Sequence, residues 1–152
     1  MCHLDISFPY SEGFCLTLIE YLKARINSLQ HLRIHGRLNG RDRIIDEVLD
    51  VVNSEPANLL KTLELTGYHR LSLNVLEILA TRFTHLSKID FSGCGRIIEN
   101  EVLKAIARNY DALTEISVRG CIAVSDFGLL ALAKPGNLIT FADFGDTDAC
   151  NR

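Results

Sequence analysis

The sequence has no apolar run approaching the roughly 18 residues needed to cross a bilayer. Its opening, Met1-Cys-His-Leu-Asp, lacks the positive start and long apolar stretch of a signal peptide. Neither a membrane segment nor secretion is therefore expected. Positive charge is not in excess: the formal net charge is −3. That balance argues against a nucleic-acid binder, whose affinity rests on a clustered basic face that neutralises phosphates. The five cysteines are an odd, scattered set without a Cys-x-x-Cys pair. They suit a reducing cytoplasm or nucleus better than a disulfide framework.

Signals of catalysis are missing as well. The five histidines form neither H-E-x-x-H nor a Cys/His zinc spacing, and His69 and His85 fall in expected turns. Gly93-Cys-Gly95 lacks the lysine and further glycines of a phosphate loop. Ser125-Asp126 is explained by a helix start. The expectation is a protein without enzymatic activity, metal or cofactor. No linker, charge block or low-complexity tract divides the 152 residues, and 47% hydrophobic content suffices for one core.

What the sequence does have is one recurring phrase: apolar, two variable positions, apolar, one variable position, apolar. It restarts near residues 1, 29, 60, 86, 113 and 139, at intervals of 26 to 31 residues. The cleanest copies are Leu86-Ser-Lys-Ile89-Asp-Phe91-Ser-Gly-Cys94 and Leu113-Thr-Glu-Ile116-Ser-Val118-Arg-Gly-Cys121. A period of this length is the signature of a leucine-rich repeat array. The alternation in Ile89-Asp-Phe91 and Ile116-Ser-Val118 predicts short strands with one face buried and one wet. Beyond each strand the period becomes helical. Leu76, Leu79 and Ala80 align with Leu103, Ile106 and Ala107 and with Leu129, Leu132 and Ala133, each set on one helix face. Leu71, Ile98 and Val124 align ahead of them. Ser72 and Ser125 stand where N-caps fall, and Glu99 and Asp126 add negative charge at helix starts. Pro135-Gly136-Asn137 ends the last of these helices.

The first half drifts from this plan. Leu32-Arg-Ile34 reads as a strand, followed by a helix with Val48, Val51 and Val52 inward; the loop from His35 to Arg43 makes this the longest repeat. Leu4-Asp-Ile6 reads as an earlier strand, with Leu18, Tyr21 and Leu22 on the buried face of its helix. Residues 1–28 are either a first repeat or an irregular cap. The fold class expected is α/β: a right-handed solenoid of five to six repeats, with a parallel sheet on its concave face and helices on its convex face. Residues 1–152 form a single domain. Both ends fall close to strands rather than polar caps, so end-to-end self-association is expected as a hazard.

The runs from Leu86 to Ala107 and from Leu113 to Ala133 resemble the cysteine-containing leucine-rich repeats of F-box proteins and mitotic-exit antagonist proteins. The likeness lies in the strand, then Cys94 or Cys121, then Ile98 or Val124, and the Leu-x-x-Leu-Ala helix. It covers residues 57–147 well and the first third weakly. It departs at Arg37, Tyr68 and Thr147, where the cysteine is absent, and there is no F-box-like segment. In such repeats the cysteine turns inward and packs under the loop. The resemblance implies selection of a protein substrate or partner in a ubiquitin-ligase or other regulatory complex.

Stacking repeats should align the wet strand positions into columns. The central column reads Asp5, Arg33, Glu64, Asp90, Ser117 and Asp143. On one side run His3, His31, Thr62, Lys88, Glu115 and Phe141; on the other run Ser7, His35, Thr66, Ser92, Arg119 and Gly145. The functional expectation is a protein-binding concave face whose central acids meet a basic segment of a partner. Arg33 interrupts that column and pairs with Asp5 or Glu64, and Phe141 is the candidate apolar anchor. The other readings are a structural segment that stacks on further repeats or on itself, and a signalling or host-interaction repeat protein without any ubiquitin link.

Overall fold

A computed structural model describes residues 2–7, 12–36, 43–54, 59–69 and 73–148 of the chain. Six strands alternate with helices: β1 (Cys2–Ser7), β2 (Leu29–His35), β3 (Thr62–Thr66), β4 (Lys88–Asp90), β5 (Glu115–Ser117) and β6 (Phe141–Asp143). Between them run α1 (Glu12–Arg25), which continues into a 3-10 turn at Ile26–Ser28, then α2 (Arg43–Ser54), α3 (Leu73–Thr81), α4 (Asn100–Asn109) and α5 (Asp126–Leu132). The strands form one parallel sheet in sequence order, β1 to β6. Each helix packs against the helix of the next unit. The fold is therefore α/β, with each strand beside the strand that precedes it and the strand that follows it.

Alternation in the strands explains the layering. Leu32, Ile34, Leu63, Leu65, Ile89 and Ile116 are buried in one core with the helix residues Leu22, Val48, Val52, Leu79, Leu103 and Ile106. The residues between them on each strand point the other way. Register continues past the short strands: Phe91 N–H donates to Ser117 O at 2.8 Å, and Val118 N–H donates to Asp143 O at 2.9 Å. Hydroxyls stitch the approach to β4, β5 and β6 to the preceding unit. Ser87 donates to Lys61 O, Thr114 to Ser87 O and Thr140 to Thr114 O. β1 and α1 follow the common plan, with β1 in parallel register on β2 after one irregularity between Cys2 and His3.

Every strand from β3 to β6 is left by the same turn. Gly67, Gly93 and Gly120 have φ of 72°, 73° and 70°, a region open to glycine at little cost; Asp146 occupies the fourth copy at φ 56°. The next residue in each case, Tyr68, Cys94, Cys121 or Thr147, is buried. The backbone N–H groups of Cys94, Cys121 and Thr147 close the turn onto Phe91, Val118 and Phe144. Cysteine is thus one of several side chains that fill this position. Arg37 lies outside the described residues.

Three local expectations need correction. Tyr21 is 44% exposed, and Arg25 lies over its ring at 5.5 Å; Ile19 takes the buried position on α1 instead. Ala133 is exposed because α5 stops one residue earlier, at Leu132. Ser125 occupies the N-cap position of α5 in extended geometry, yet its side chain makes no capping bond. Asn100 performs that task from the preceding unit: its Oδ1 accepts from the N–H of Ser125 (3.0 Å) and of Gly128 (3.1 Å), and its Nδ2 donates to Ser125 Oγ. Leu71 and Ser72 lie outside the described residues. No helix among the described residues is long and apolar enough to cross a membrane.

Candidate functional site: the open face of the sheet

The sheet face turned away from the helices carries three rows of side chains, set by the strand register. Asp5, Arg33, Glu64, Asp90, Ser117 and Asp143 are successive partners across the five pairings. So are His3, His31, Thr62, Lys88, Glu115 and Phe141. The third row begins with Ser7, His35 and Thr66, and the bonds Gly67 N–H to Ser92 O, Gly93 N–H to Arg119 O and Gly120 N–H to Gly145 O carry it onward. Strand spacing in a parallel sheet then places row neighbours about 4.8 Å apart.

At that spacing opposite charges meet. Arg33 pairs with Glu64 through Nε and reaches Asp5 Oδ2 at 3.5 Å, so it engages both acids. Lys88 Nζ lies 3.1 Å from Glu64 Oε1 and 3.9 Å from Glu115 Oε2. The result is a zigzag of alternating sign, Asp5–Arg33–Glu64–Lys88–Glu115. Glu64 sits at its centre with only 12% of its side chain exposed. Burial works to raise the Glu64 pKa, but hydrogen bonds from Arg33 and Lys88 outweigh it and hold the carboxyl below its ordinary value. The hydrogen bond to Glu64 chiefly raises the pKa of Arg33 in turn.

The other acids of the central row also have partners. Asp90 Oδ1 accepts from Ser92 N–H at 2.8 Å and from Ser92 Oγ at 2.5 Å; Asp143 Oδ1 accepts from Gly145 N–H at 2.9 Å. Ser117 is buried, and its hydroxyl shares a 2.8 Å hydrogen bond with Ser92. The central row is thus a mutually satisfied network rather than a column of free carboxylates. The more open groups lie beside it: Glu115 (47% of the side chain), Arg119 (59%) and Phe141 (57%). Arg119 reaches Asp146 at 3.1 Å.

Histidines cluster at the other end. His3 and His31 have ring centroids 5.8 Å apart, His31 Nδ1 shares a 2.7 Å hydrogen bond with Thr62 Oγ1, and His35 is joined likewise to Thr66. Among the described residues, no group of three or more His, Cys, Asp or Glu side chains could hold a metal ion.

Cys94 and Cys121 lie beneath this surface. Their thiols donate to Leu65 O and Phe91 O, each at 3.1 Å, in the unit before. Burial pushes both thiols up to about 12, far from the thiolate form that nucleophilic chemistry requires. Both are free cysteines. The sequence did not show the bridging role of Asn100. Its only signal is an Asn at a helix start, 25 residues before Ser125. Compared with models of protein families and with curated proteins, the sequence matches none.

Proposed function

We propose that the chain is a non-catalytic protein-recognition module: a right-handed solenoid of the leucine-rich repeat type whose open sheet face receives a partner. The observation that carries this reading is the in-register open face itself. Three rows of polar and charged side chains run across six parallel strands, partly exposed and on rigid elements. Such a surface is preorganised, so binding to it orders little of this chain. The partner presents a basic segment to Glu115, Asp90 and Asp143, with Phe141 as the apolar anchor at the β6 edge. By resemblance, the role is selection of a substrate or partner for a regulatory or ubiquitin-ligase complex, in the cytoplasm or nucleus.

The pairing pattern dictates the test. Replacing Glu64 would break two ion pairs and confuse folding with binding. Glu115→Arg combined with Phe141→Ala alters two exposed groups and leaves the Arg33–Glu64 pair in place. Affinity capture from lysate with wild type and this variant, both checked by circular dichroism, should yield a protein held by wild type and lost by the variant. Identical captures would sink the reading.

A second reading has its own support. Phe127, Leu130, Leu138 and Phe141 are 71%, 66%, 58% and 57% exposed, all on α5, β6 or the segment joining them. This apolar end favours a structural segment that stacks on further repeats or on itself. Sedimentation velocity across a concentration series separates the two: association that ignores Glu115→Arg but is abolished by Phe127→Ser with Leu130→Ser supports stacking.

A further inference from the structure

Along the rim where the strands end, beside the Arg119 row, the surface sinks into an open trough of about 740 Å³. Gly67, Gly93 and Gly120 form its floor, and His69, Arg96 and Ile122 stand along it. We infer that this trough docks an extended acidic segment of the protein partner, with a carboxylate on Arg96. The inference rests on the recognition reading above and gives that partner a second, chemically opposite contact.

Charge is the first argument. Of the four arginines and lysines placed on the open face and this rim among the described residues, three are engaged: Arg33 with Asp5 and Glu64, Lys88 with Glu64 and Glu115, and Arg119 with Asp146. Arg96 is exposed, and no carboxylate among the described residues lies within ion-pair distance of it. His69 stands beside it; a Cβ on neighbouring Gly95 would lie 3.0 Å from His69 Nδ1. A guanidinium offers a planar fork suited to a carboxylate.

The floor supplies the second argument. Its amide N–H groups are already spent on the next strand: Gly67 on Ser92 O, Gly93 on Arg119 O and Gly120 on Gly145 O. These three N–H groups are therefore not free to meet a phosphate, and Arg96 and His69 supply polar side chains along the trough. What the floor does offer is length. From Gly36, which also lines the trough, to Gly120 is three strand spacings, about 14 Å, or roughly four residues of extended peptide. Ile122, 47% exposed, gives an apolar contact beside it. A small inorganic anion would use Arg96 and leave the rest of the trough empty.

The test uses the full chain labelled with 15N and a blocked tetrapeptide, acetyl-Gly-Glu-Gly-Glu-amide. Its glutamine counterpart and inorganic phosphate serve as controls. The Glu peptide should shift the amide signals of Gly67, Gly93, Gly95 and Gly120 saturably. Arg96→Gln, at an exposed site, should weaken the effect about tenfold with the spectrum otherwise preserved. The inference is overturned by any of three results: no saturable shift, equal shifts from the Gln peptide or from phosphate, or an Arg96→Gln chain that responds like wild type. Capture with the Glu115/Phe141 variant reads the other half independently. A partner lost there without a peptide response at the trough leaves recognition standing and removes the trough. A trough response with unchanged captures does the reverse.

Discussion

At residues 67, 93 and 120 the chain leaves a strand through a left-handed glycine, and the next side chain drops into the core. Alanine at residue 93 would meet one cost. Its Cβ would lie 3.5 Å from Gly67, an ordinary contact, but φ of 73° remains unfavourable for an L side chain. We expect Gly93→Ala to destabilise the fold by about 1–2 kcal/mol, read as a lower urea midpoint with unchanged slope. The cysteines below the turn should ignore a thiol reagent at pH 8 in the folded chain and react once urea unfolds it. Their folded pKa is raised, so the native state holds protons that the unfolded thiols release. The resulting stabilisation is complete below the unfolded pKa of about 8.5 and is lost as pH climbs toward 12. Melting temperatures from pH 7 to 10 should therefore fall, and Cys94→Ser with Cys121→Ser should flatten that decline. Glycine and cysteine at fixed offsets after β4 and β5 were legible in the sequence. That tyrosine and threonine occupy the same buried place was not, because a turn position tolerates any side chain that fits beneath it.

Between elements, the decisive spacing is that of neighbouring strands. It places Glu64 within reach of both Arg33 and Lys88, and the depressed carboxyl follows from those two bonds. A depressed acid stabilises the fold above its unfolded pKa of about 4.3, and that contribution disappears as pH falls through the folded value. Glu64→Gln should therefore lower the melting temperature at pH 7, and its gap from wild type should narrow progressively as the solution is acidified through the carboxylate range. The rows were readable from the sequence because the same strand phrase recurs in each unit, whatever the length of the segment between copies. That Arg33 meets an acid was readable too. It engages both Asp5 and Glu64, because each neighbouring strand presents its acid at one strand spacing. The bridge from α4 to α5 was not readable, since Asn100 caps a helix in the next unit and local capping rules point to Ser125. Asn100→Ala should cost about 1–2 kcal/mol in a urea titration, since it leaves the N–H groups of Ser125 and Gly128 without their acceptor.

Across the molecule, the core is one cluster assembled from residues of every unit. Leu103 is fully buried within it, whereas Leu129 is only partly so. Leu103→Ala should therefore cost about 2–5 kcal/mol in a urea titration, and Leu129→Ala distinctly less. The period of the sequence placed Leu103 and Leu129 alike on a buried helix face, so this grading was not legible in it, nor was where α5 would stop or that Tyr21 would face water. Those depend on how each helix end meets its neighbour. Strand order has one more consequence. Because β1 to β6 pair strictly in sequence, no element waits for a later part of the chain to supply a partner on its earlier side. During synthesis each new strand emerges onto an edge already built, so assembly on the ribosome can proceed one unit at a time.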